Sequence, residues 1–527
     1  MAEQPNFLLI TADQWRGDCL SAVNHPLVKT PNLDRLAARG VLFNNHFANA
    51  APCSPARACL YTGLYQMNNR VCMNGTPLDS RHDTLAKAFR RQGYEPTLFG
   101  YTDQTEDPRS VHVSDPAMRT YEGVLPGFFA RTRVTEDQSL WRSWLQQHGY
   151  DNALNSDLED FHIPAEGVDD PPAGRAPVYR AEHTDTAYLV AEFTRWLGEQ
   201  PRTRKQRDTS GWFAHLSFLR PHPPFTVPAP FNRMYNAGDV APFKGTSESA
   251  VEHPFLDFIR RKLLKRFFIP GTQGLVSDWQ PHDLQQIAAI YYGMCSEVDA
   301  QIGQVLNELE ASGQLDNTII VFTSDHGEQM GDHALLGKVG FFDSSYHVPL
   351  IISHPYQATT HGKQVCEFTE AVDVMPTMID IAGAPVPGQL DGYSLLPLMT
   401  NCTADTWRQA VHWEYDFRDV ATQTAEQHFG IPSQACNLSV MRSRKYKYVH
   451  FAAMPSLLFD VQSDPHETRN LIDHPEYQSV ARACAEELLS WRAQHLDQSL
   501  ALSKVTDNGL VAGGRLPRVT RFTEVYD

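Results

Sequence analysis

The stretch Cys53-Ser54-Pro55-Ala56-Arg57 constrains this 527-residue chain more than any other. Ser54 is a favoured helix N-cap, proline is favoured at the first helical position, and Gly63 can end the helix. Position 53 would then face the positive end of a helix with Arg57 in its first turn, which favours an anion site. The pattern also fits a capped helix with a buried cysteine, since free cysteine is often buried.

Short apolar runs alternate with helical patterns through the first part of the chain. Strands are predicted at 7–10, 96–101, 212–219 and 318–322, and helices at 30–40, 84–91 and 283–312. This alternation predicts an α/β fold: a large central mixed, mostly parallel sheet sandwiched by helices. We assign residues 1–385 to this α/β domain.

The character of the sequence changes after residue 385. Residues 444–451 and 457–460 are typical of antiparallel strands, and 477–495 of an amphipathic helix. We therefore predict a smaller C-terminal α+β domain at 386–527 that carries a short antiparallel sheet. Its tail after Ser499 has no strong pattern. It could be an arm that reaches a partner subunit, or a loose end.

Polar residues follow two of the predicted strands. Asp13 and Gln14 come after the first strand, and Asp325 and His326 after the last. Ligands gather at the carboxyl ends of strands in open α/β sheets. Two carboxylates, an amide oxygen and an imidazole suit a fairly hard divalent cation. A single aspartate there is more often a turn residue, but two such pairs favour a metal site.

Composition narrows the classes of partner. The formal net charge of −17 argues against nucleic acid or an anionic membrane as a partner. Nine cysteines, an odd number without close pairs, argue against a disulfide framework. The N-terminal residues show neither a signal-peptide pattern nor an apolar span, so we expect a cytoplasmic protein.

The stretch from Cys53 to Gly63 resembles the signature of type I sulfatases, members of the alkaline phosphatase superfamily. The resemblance covers 6–499 and implies an alkaline phosphatase-like fold. It implies that the cell's formylglycine-generating machinery oxidises Cys53 to formylglycine, whose hydrated aldehyde would be the nucleophile at sulfur or phosphorus. It also implies a catalytic Arg57 and one metal ion, Mn²⁺ or Ca²⁺, shared by formylglycine and the four strand-end residues; the imidazole favours Mn²⁺.

The Asp-Gln and Asp-His pairs resemble the branch of phosphonate monoester hydrolases and their arylsulfatase relatives. In that branch, Lys338 would bind a non-bridging oxygen and stabilise transition-state charge. His222, in a loop rich in proline, would protonate the leaving oxygen as general acid. Asn74 and Tyr101 align with polar groups that contact the head group of the substrate. Without the resemblance, Lys338 also fits a solvated surface lysine, and His222 a histidine whose hydrogen bonds are made within a turn.

The chain departs from the pattern of phosphonate monoester hydrolases at Asp103, where those enzymes tend to have a threonine. The chain also lacks the Lys-x-His element of many ordinary arylsulfatases. An aspartate near a dianionic substrate costs binding unless a metal, a base or the formylglycine hydroxyl compensates its charge. We therefore expect Asp103 to contact the substrate and to favour sulfate esters.

The resulting prediction is a formylglycine- and metal-dependent hydrolase of sulfate monoesters, an arylsulfatase that also accepts phosphonate monoesters and phosphodiesters. The alternative is a phosphonate monoester hydrolase or phosphodiesterase with sulfatase side activity. A third, remote interpretation is a non-catalytic anion-binding protein in which Cys53 is never oxidised. We expect a homo-oligomer, a dimer or tetramer.

Overall fold

The computed structural model describes most of the chain, namely residues 4–151, 153–154, 157–163, 174, 176–200, 211–245, 251–400 and 407–512. Parts of the predicted domains lie outside the described residues, including 164–173, 246–250 and the tail from 513 onward.

The described residues form strands and α-helices joined by loops and short 3₁₀ helices. The strands are β1 (Asn6–Ala12), β2 (Val41–Phe47), β3 (Ala50–Ala51), β4 (Pro96–Gly100), β5 (Phe129–Arg133), β6 (Phe213–Phe218), β7 (Thr318–Thr323), β8 (Leu350–Ser353), β9 (Lys363–Glu370), β10 (Ala410–Asp416), β11 (Asn437–Ser443), β12 (Tyr446–Phe451), β13 (Leu457–Asp460), β14 (Ser503–Thr506) and β15 (Gly509–Ala512). The helices are α1 (Pro31–Ala38), α2 (Cys53–Thr62), α3 (Gln66–Asn69), α4 (Leu85–Arg91), α5 (Ser139–Gln147), α6 (Leu158–His162), α7 (Asp185–Glu199), α8 (Pro254–Arg260), α9 (Pro281–Ala311), α10 (Asp343–Tyr346), α11 (Val374–Ile381), α12 (Leu396–Met399), α13 (Thr424–Phe429) and α14 (Gln478–Gln494).

Eight strands form the central sheet in the order β5-β4-β6-β1-β7-β8-β2-β9. Every neighbouring pair is parallel except the two that involve β8. All of β1 is buried, as expected of a strand covered on both faces. Leu8 and Ile10 pack on one face with α1, α7 and α9, whereas Phe7 and Leu9 pack on the other with α2, α4 and α11. The predicted mixed sheet between helices is confirmed.

A second sheet follows the order β13-β12-β11-β10-β3. It is antiparallel from β13 to β10, which confirms the predicted short antiparallel sheet. Its last member, β3, runs parallel to β10 and leads through Pro52 into Cys53. The second sheet thus includes residues from the N-terminal part of the chain. The boundary at 385 remains a prediction.

Helix α2 departs from its prediction at one end. It begins at Cys53, so Ser54 is not the N-cap but lies inside the first turn. The Ser54 N–H donates to Asn74 Oδ1 at 3.0 Å, so a side chain distant in sequence satisfies this end of the helix. The other end agrees with the prediction, because Gly63 has a left-handed φ of 64°.

The tail after Ser499 contains structure that its sequence did not indicate. Strands β14 and β15 form a separate antiparallel hairpin. Val505 and Leu510 are exposed on it. Among the described helices, none combines the length and apolar character needed to cross a bilayer.

Candidate active site

The two predicted pairs of ligands leave the sheet side by side. Strands β1 and β7 are parallel neighbours with Thr11 opposite Thr323, so the residues after each strand meet at one edge. Ligand atoms of four buried residues lie within 4.8 Å of one another there: Asp13, Cys53, Asp325 and His326. The Cys53 Sγ is 3.4 Å from His326 Nε2 and 4.0 Å from Asp13 Oδ1.

This donor set fits a divalent metal ion. His326 Nδ1 lies 3.1 Å from the Gly327 carbonyl, which can only accept, so Nδ1–H donates and Nε2 is left to face the cluster. Burial and the charge of Asp13 raise the pKa of the Asp325 carboxyl. Two carboxylates held this close repel each other, and a bound cation would compensate them both.

Gln14 has an amide that is held from both sides. Its Nε2 donates to the Glu328 carboxylate, and its Oε1 accepts from Lys338 Nζ at 2.8 Å. Glu328 is fully buried and is itself fixed by the backbone N–H groups of Met330 at 2.8 Å and Gly337 at 2.5 Å. The Gln14 oxygen is thereby oriented. Sequence reasoning missed Glu328, whose only signal was its position three residues after Asp325.

Arg57 is 0% exposed and lies against the two carboxylates. Its Nε donates to Asp325 Oδ2 at 2.9 Å, and its Nη2 donates to Asp13 Oδ2 at 3.2 Å. Nη1 donates to Ser217 Oγ at 2.9 Å, a partner at the end of β6 that sequence reasoning also missed. The Tyr101 ring lies 4.3 Å from the guanidinium carbon. Arg57 therefore balances carboxylate charge from within the protein.

Tyr101 has protein partners for its hydroxyl group. The hydroxyl donates to Asp13 Oδ2 at 2.6 Å and accepts from Arg57 Nη2 at 3.0 Å. Its observed contacts orient a carboxylate of the cluster. The predicted contact of Tyr101 with the substrate is not tested by this arrangement and remains a prediction, as does that of Asn74.

Lys338 brings a positive charge next to position 53. Its Nζ lies 3.2 Å from Cys53 Sγ. Burial alone would lower the pKa of Lys338, but Cys53 and Asp13 outweigh burial and raise it. Burial and the Asp13 charge raise the pKa of the Cys53 thiol. The ammonium group is therefore placed to neutralise an oxyanion formed beside residue 53.

His222 follows β6 in the predicted proline-rich loop. Its Nδ1 lies 2.7 Å from the Pro223 carbonyl, so Nδ1–H donates and Nε2 is the nitrogen left to exchange a proton with a ligand. Burial and the charge of Lys338 lower the pKa of His222 to about 3. A bound anionic ester would oppose this effect, because a nearby negative charge favours the protonated ring.

Asp103 is 4% exposed and has a left-handed φ of 50°. Its Oδ2 is 3.9 Å from Arg57 Nε, and its Oδ1 has no hydrogen-bond partner in the described part of the chain. Burial raises the pKa of Asp103 to about 7, with Asp13 and Asp325 adding to the shift and Arg57 opposing it. The structure thus joins Asp103 to the cluster through Arg57.

Known proteins share both the sequence and the fold. The family model described as Sulfatase matches residues 5–384, and the model described as N-sulphoglucosamine sulphohydrolase, C-terminal, matches residues 331–494. The chain is 38% identical to the multifunctional alkaline phosphatase superfamily protein PehA of Trinickia caryophylli, over 96% of this chain and 98% of that protein. It is 28% identical to an arylsulfatase of Clostridium perfringens, over 90% and 91%.

Among solved structures, the phosphonate monoester hydrolase of Agrobacterium radiobacter superposes with a TM-score of 0.92 at 51% identity, over 97% of this chain and 100% of that one. Hydrolases of two ester classes are therefore similar to this chain over nearly its whole length. With a family model that covers most of its residues, the chain belongs to the sulfatase family of the alkaline phosphatase superfamily and is a hydrolase.

Proposed function

We propose that this enzyme hydrolyses sulfate monoesters, with aryl sulfates as its best substrates and phosphonate monoesters and phosphodiesters as further ones. The observation that carries the proposal is the position of Cys53. It heads a helix inside the family motif, and its sulfur lies 3.2 Å from Lys338 Nζ and 3.4 Å from His326 Nε2. Displacement at tetrahedral sulfur or phosphorus needs these same parts.

Two groups complete the proposed site. Formylglycine at position 53 would supply the attacking hydroxyl, and a divalent ion held by Asp13, Gln14, Asp325 and His326 would act as a Lewis acid. Lys338 binds a non-bridging oxygen and balances its charge. Arg57 favours the ionised form of both carboxylates through its contacts with Asp13 and Asp325. The His222 Nε2–H protonates the leaving oxygen.

The second candidate is a phosphonate monoester hydrolase or phosphodiesterase with sulfatase side activity. It is favoured by the 51% identity to the phosphonate monoester hydrolase of Agrobacterium radiobacter. Sulfate monoesters, phosphonate monoesters and phosphodiesters each carry one negative charge, so net charge separates them poorly. Asp103 is the residue on which we base the preference for sulfate, because phosphoryl oxygens carry more negative charge than sulfuryl oxygens.

The remaining proposals concern the surroundings of the enzyme. We propose a cytoplasmic homo-oligomer, a dimer or tetramer, that depends on formylglycine-generating machinery. The exposed apolar side chains of Val505 and Leu510 on the terminal hairpin support self-association.

Cys53 should be oxidised in active enzyme. Peptide mass spectrometry should show that the peptide with residue 53 has lost its thiol. Cys53→Ala should lose nearly all activity and keep its fold, because this side chain fills little core volume. Cys59→Ala, on the same helix and also buried, should stay active. Full activity in protein that carries only unmodified cysteine at 53 would refute the proposal.

Asp325→Ala should lose its metal. The substitution leaves the ion undercharged and takes a 2.9 Å partner from Arg57. Elemental analysis after dialysis should fall from one ion per chain to nearly none. Asp299→Asn is the matched control, because Asp299 is a buried carboxylate that accepts the N–H of Leu33 at 2.8 Å. Full occupancy in Asp325→Ala would contradict the assignment.

His222→Ala should slow substrates in proportion to the basicity of the leaving oxygen. A nitrophenolate needs little protonation and should be affected mildly. Phenyl or alkyl esters should lose about 10²–10⁴-fold in kcat/KM, the usual contribution of a general acid. Equal losses across the series would mean that His222 only positions the substrate.

Asp103 should set the ratio between substrates. The left-handed φ of 50° suits asparagine, whereas threonine, which is β-branched, would be strained there. Asp103→Asn should shift kcat/KM toward phosphonate monoesters over sulfates by about tenfold, or roughly 1.4 kcal/mol of transition-state binding. Dianionic phosphate monoesters, poor substrates before the change, should gain as well.

The pH dependence gives an internal check on Asp103. Because burial raises the pKa of Asp103 to about 7, its carboxylate carries full charge only above that pH. The difference between the unchanged enzyme and Asp103→Asn should therefore grow as the pH rises through 7. An unchanged substrate ratio at every pH would remove the basis for the sulfate preference.

A further inference from the structure

The loop that carries His222 has few backbone donors of its own. Pro221, Pro223 and Pro224 have no N–H, so the loop cannot form the usual hydrogen bonds of a turn at those positions. Its carbonyl groups still need partners, since buried backbone oxygens are nearly always paired. Arg220 is a partner for two of them: its Nη1 donates to the His222 carbonyl at 3.1 Å and to the Pro224 carbonyl at 2.9 Å, and the Pro224 carbonyl also accepts the Thr226 N–H at 2.8 Å.

Arg220 is in turn held by helix α7. The residue is 4% exposed, and its Nε lies 3.2 Å from Asp185 Oδ2. Asp185 is the first residue of α7, and its Oδ1 accepts the Thr186 N–H at 3.0 Å. Helix α7 packs against β4, β6 and α9, so the carboxylate stands on a rigid element. The chain of contacts runs from α7 through Arg220 to the His222 backbone.

The guanidinium group is suited to this arrangement. Its donors point in fixed directions, so one side chain can reach Asp185 with Nε and two carbonyls with Nη1. Although burial disfavours the charge, Asp185 raises the pKa of Arg220 above its usual value. A lysine would keep the charge, but its three N–H donors leave a single nitrogen, which cannot hold the carboxylate and both carbonyls in the same geometry.

We propose that Arg220 and Asp185 are positioning residues that fix the place of the His222 imidazole for proton donation to the leaving oxygen. The proposal rests on the general-acid role of His222 given above. The His222 ring is tied by Nδ1–H to the Pro223 carbonyl at 2.7 Å, so the ring moves with the peptide that Arg220 holds. A displacement of about 1 Å in such a group can cost about 10²-fold in rate.

The test uses Arg220→Lys and Asp185→Asn with aryl sulfates that range from nitrophenyl to phenyl. Each variant should lose about tenfold in kcat/KM on the phenyl ester and less than about twofold on the nitrophenyl ester. When combined with His222→Ala, neither change should make kcat/KM depend more strongly on the leaving group, because the effects of residues that act as a unit do not add. Thermal unfolding checks that each variant is folded. If Arg220→Lys does not fold, Asp185→Asn still tests the proposal, because asparagine keeps the shape of the aspartate side chain.

Arg408→Lys is the matched control. Arg408 is also buried, and its Nη2 donates to Asp373 Oδ1 at 2.8 Å, away from the loop. This variant should lower stability and leave the leaving-group dependence unchanged. The inference would be overturned if Arg220→Lys and Asp185→Asn likewise left the dependence of kcat/KM on the leaving group unchanged. It would also be overturned if their effects added fully to that of His222→Ala.

The two proposals fail in different ways. The positioning role would be overturned, and the general acid left intact, if the loss in kcat/KM grew with leaving-group basicity for His222→Ala but not for Arg220→Lys and Asp185→Asn. If His222→Ala lowered kcat/KM equally for all leaving groups, the general-acid role would be overturned, and the positioning role with it. Neither result bears on the oxidation of Cys53, which mass spectrometry reports separately.

Discussion

The structure depends on one buried cation, the guanidinium group of Arg57, and its two carboxylate partners. Removing three charges from water is costly, and the arrangement is stable only because nearly every donor finds an oxygen. Asp13 and Asp325 reach Arg57 from the neighbouring strands β1 and β7, while Arg57 comes from α2. The contacts therefore fix the head of α2 relative to the sheet, and Cys53 with it. The site and the fold share these contacts.

Much of the frame could be predicted, for reasons that differ along the chain. Strands β1 and β7 are buried on both faces, so their apolar runs are unmistakable and place Asp13 and Asp325 at strand ends. Strand β2 has the sequence VLFNNHF, in which two asparagines interrupt the apolar run, and no strand was predicted there. Two-residue β3 has no periodicity at all, since its pairing is decided by β10, more than 300 residues away.

The roles of side chains were harder to predict than their places. A position in the first turn of a helix suggested that Arg57 would favour a bound anion, but gave no sign that its donors would meet two carboxylates of the protein and Ser217. Glu328 and Arg220 act on Gln14 and on the His222 loop through contacts that no local pattern encodes. The residue types of a site can be read from a motif, whereas the partners that orient them depend on the packing of distant elements.

The pairing of β3 with β10 has a consequence in time. Strand β3 leads into Cys53, which is only 4% exposed once the fold is complete. During synthesis, β10 follows position 53 by roughly 20 to 70 s at about 5–20 residues per second. Over that interval the second sheet cannot close beside α2. The order of the chain thus leaves a period in which the strand that leads into Cys53 is made but has no partner strand, and the arrival of β10 supplies one.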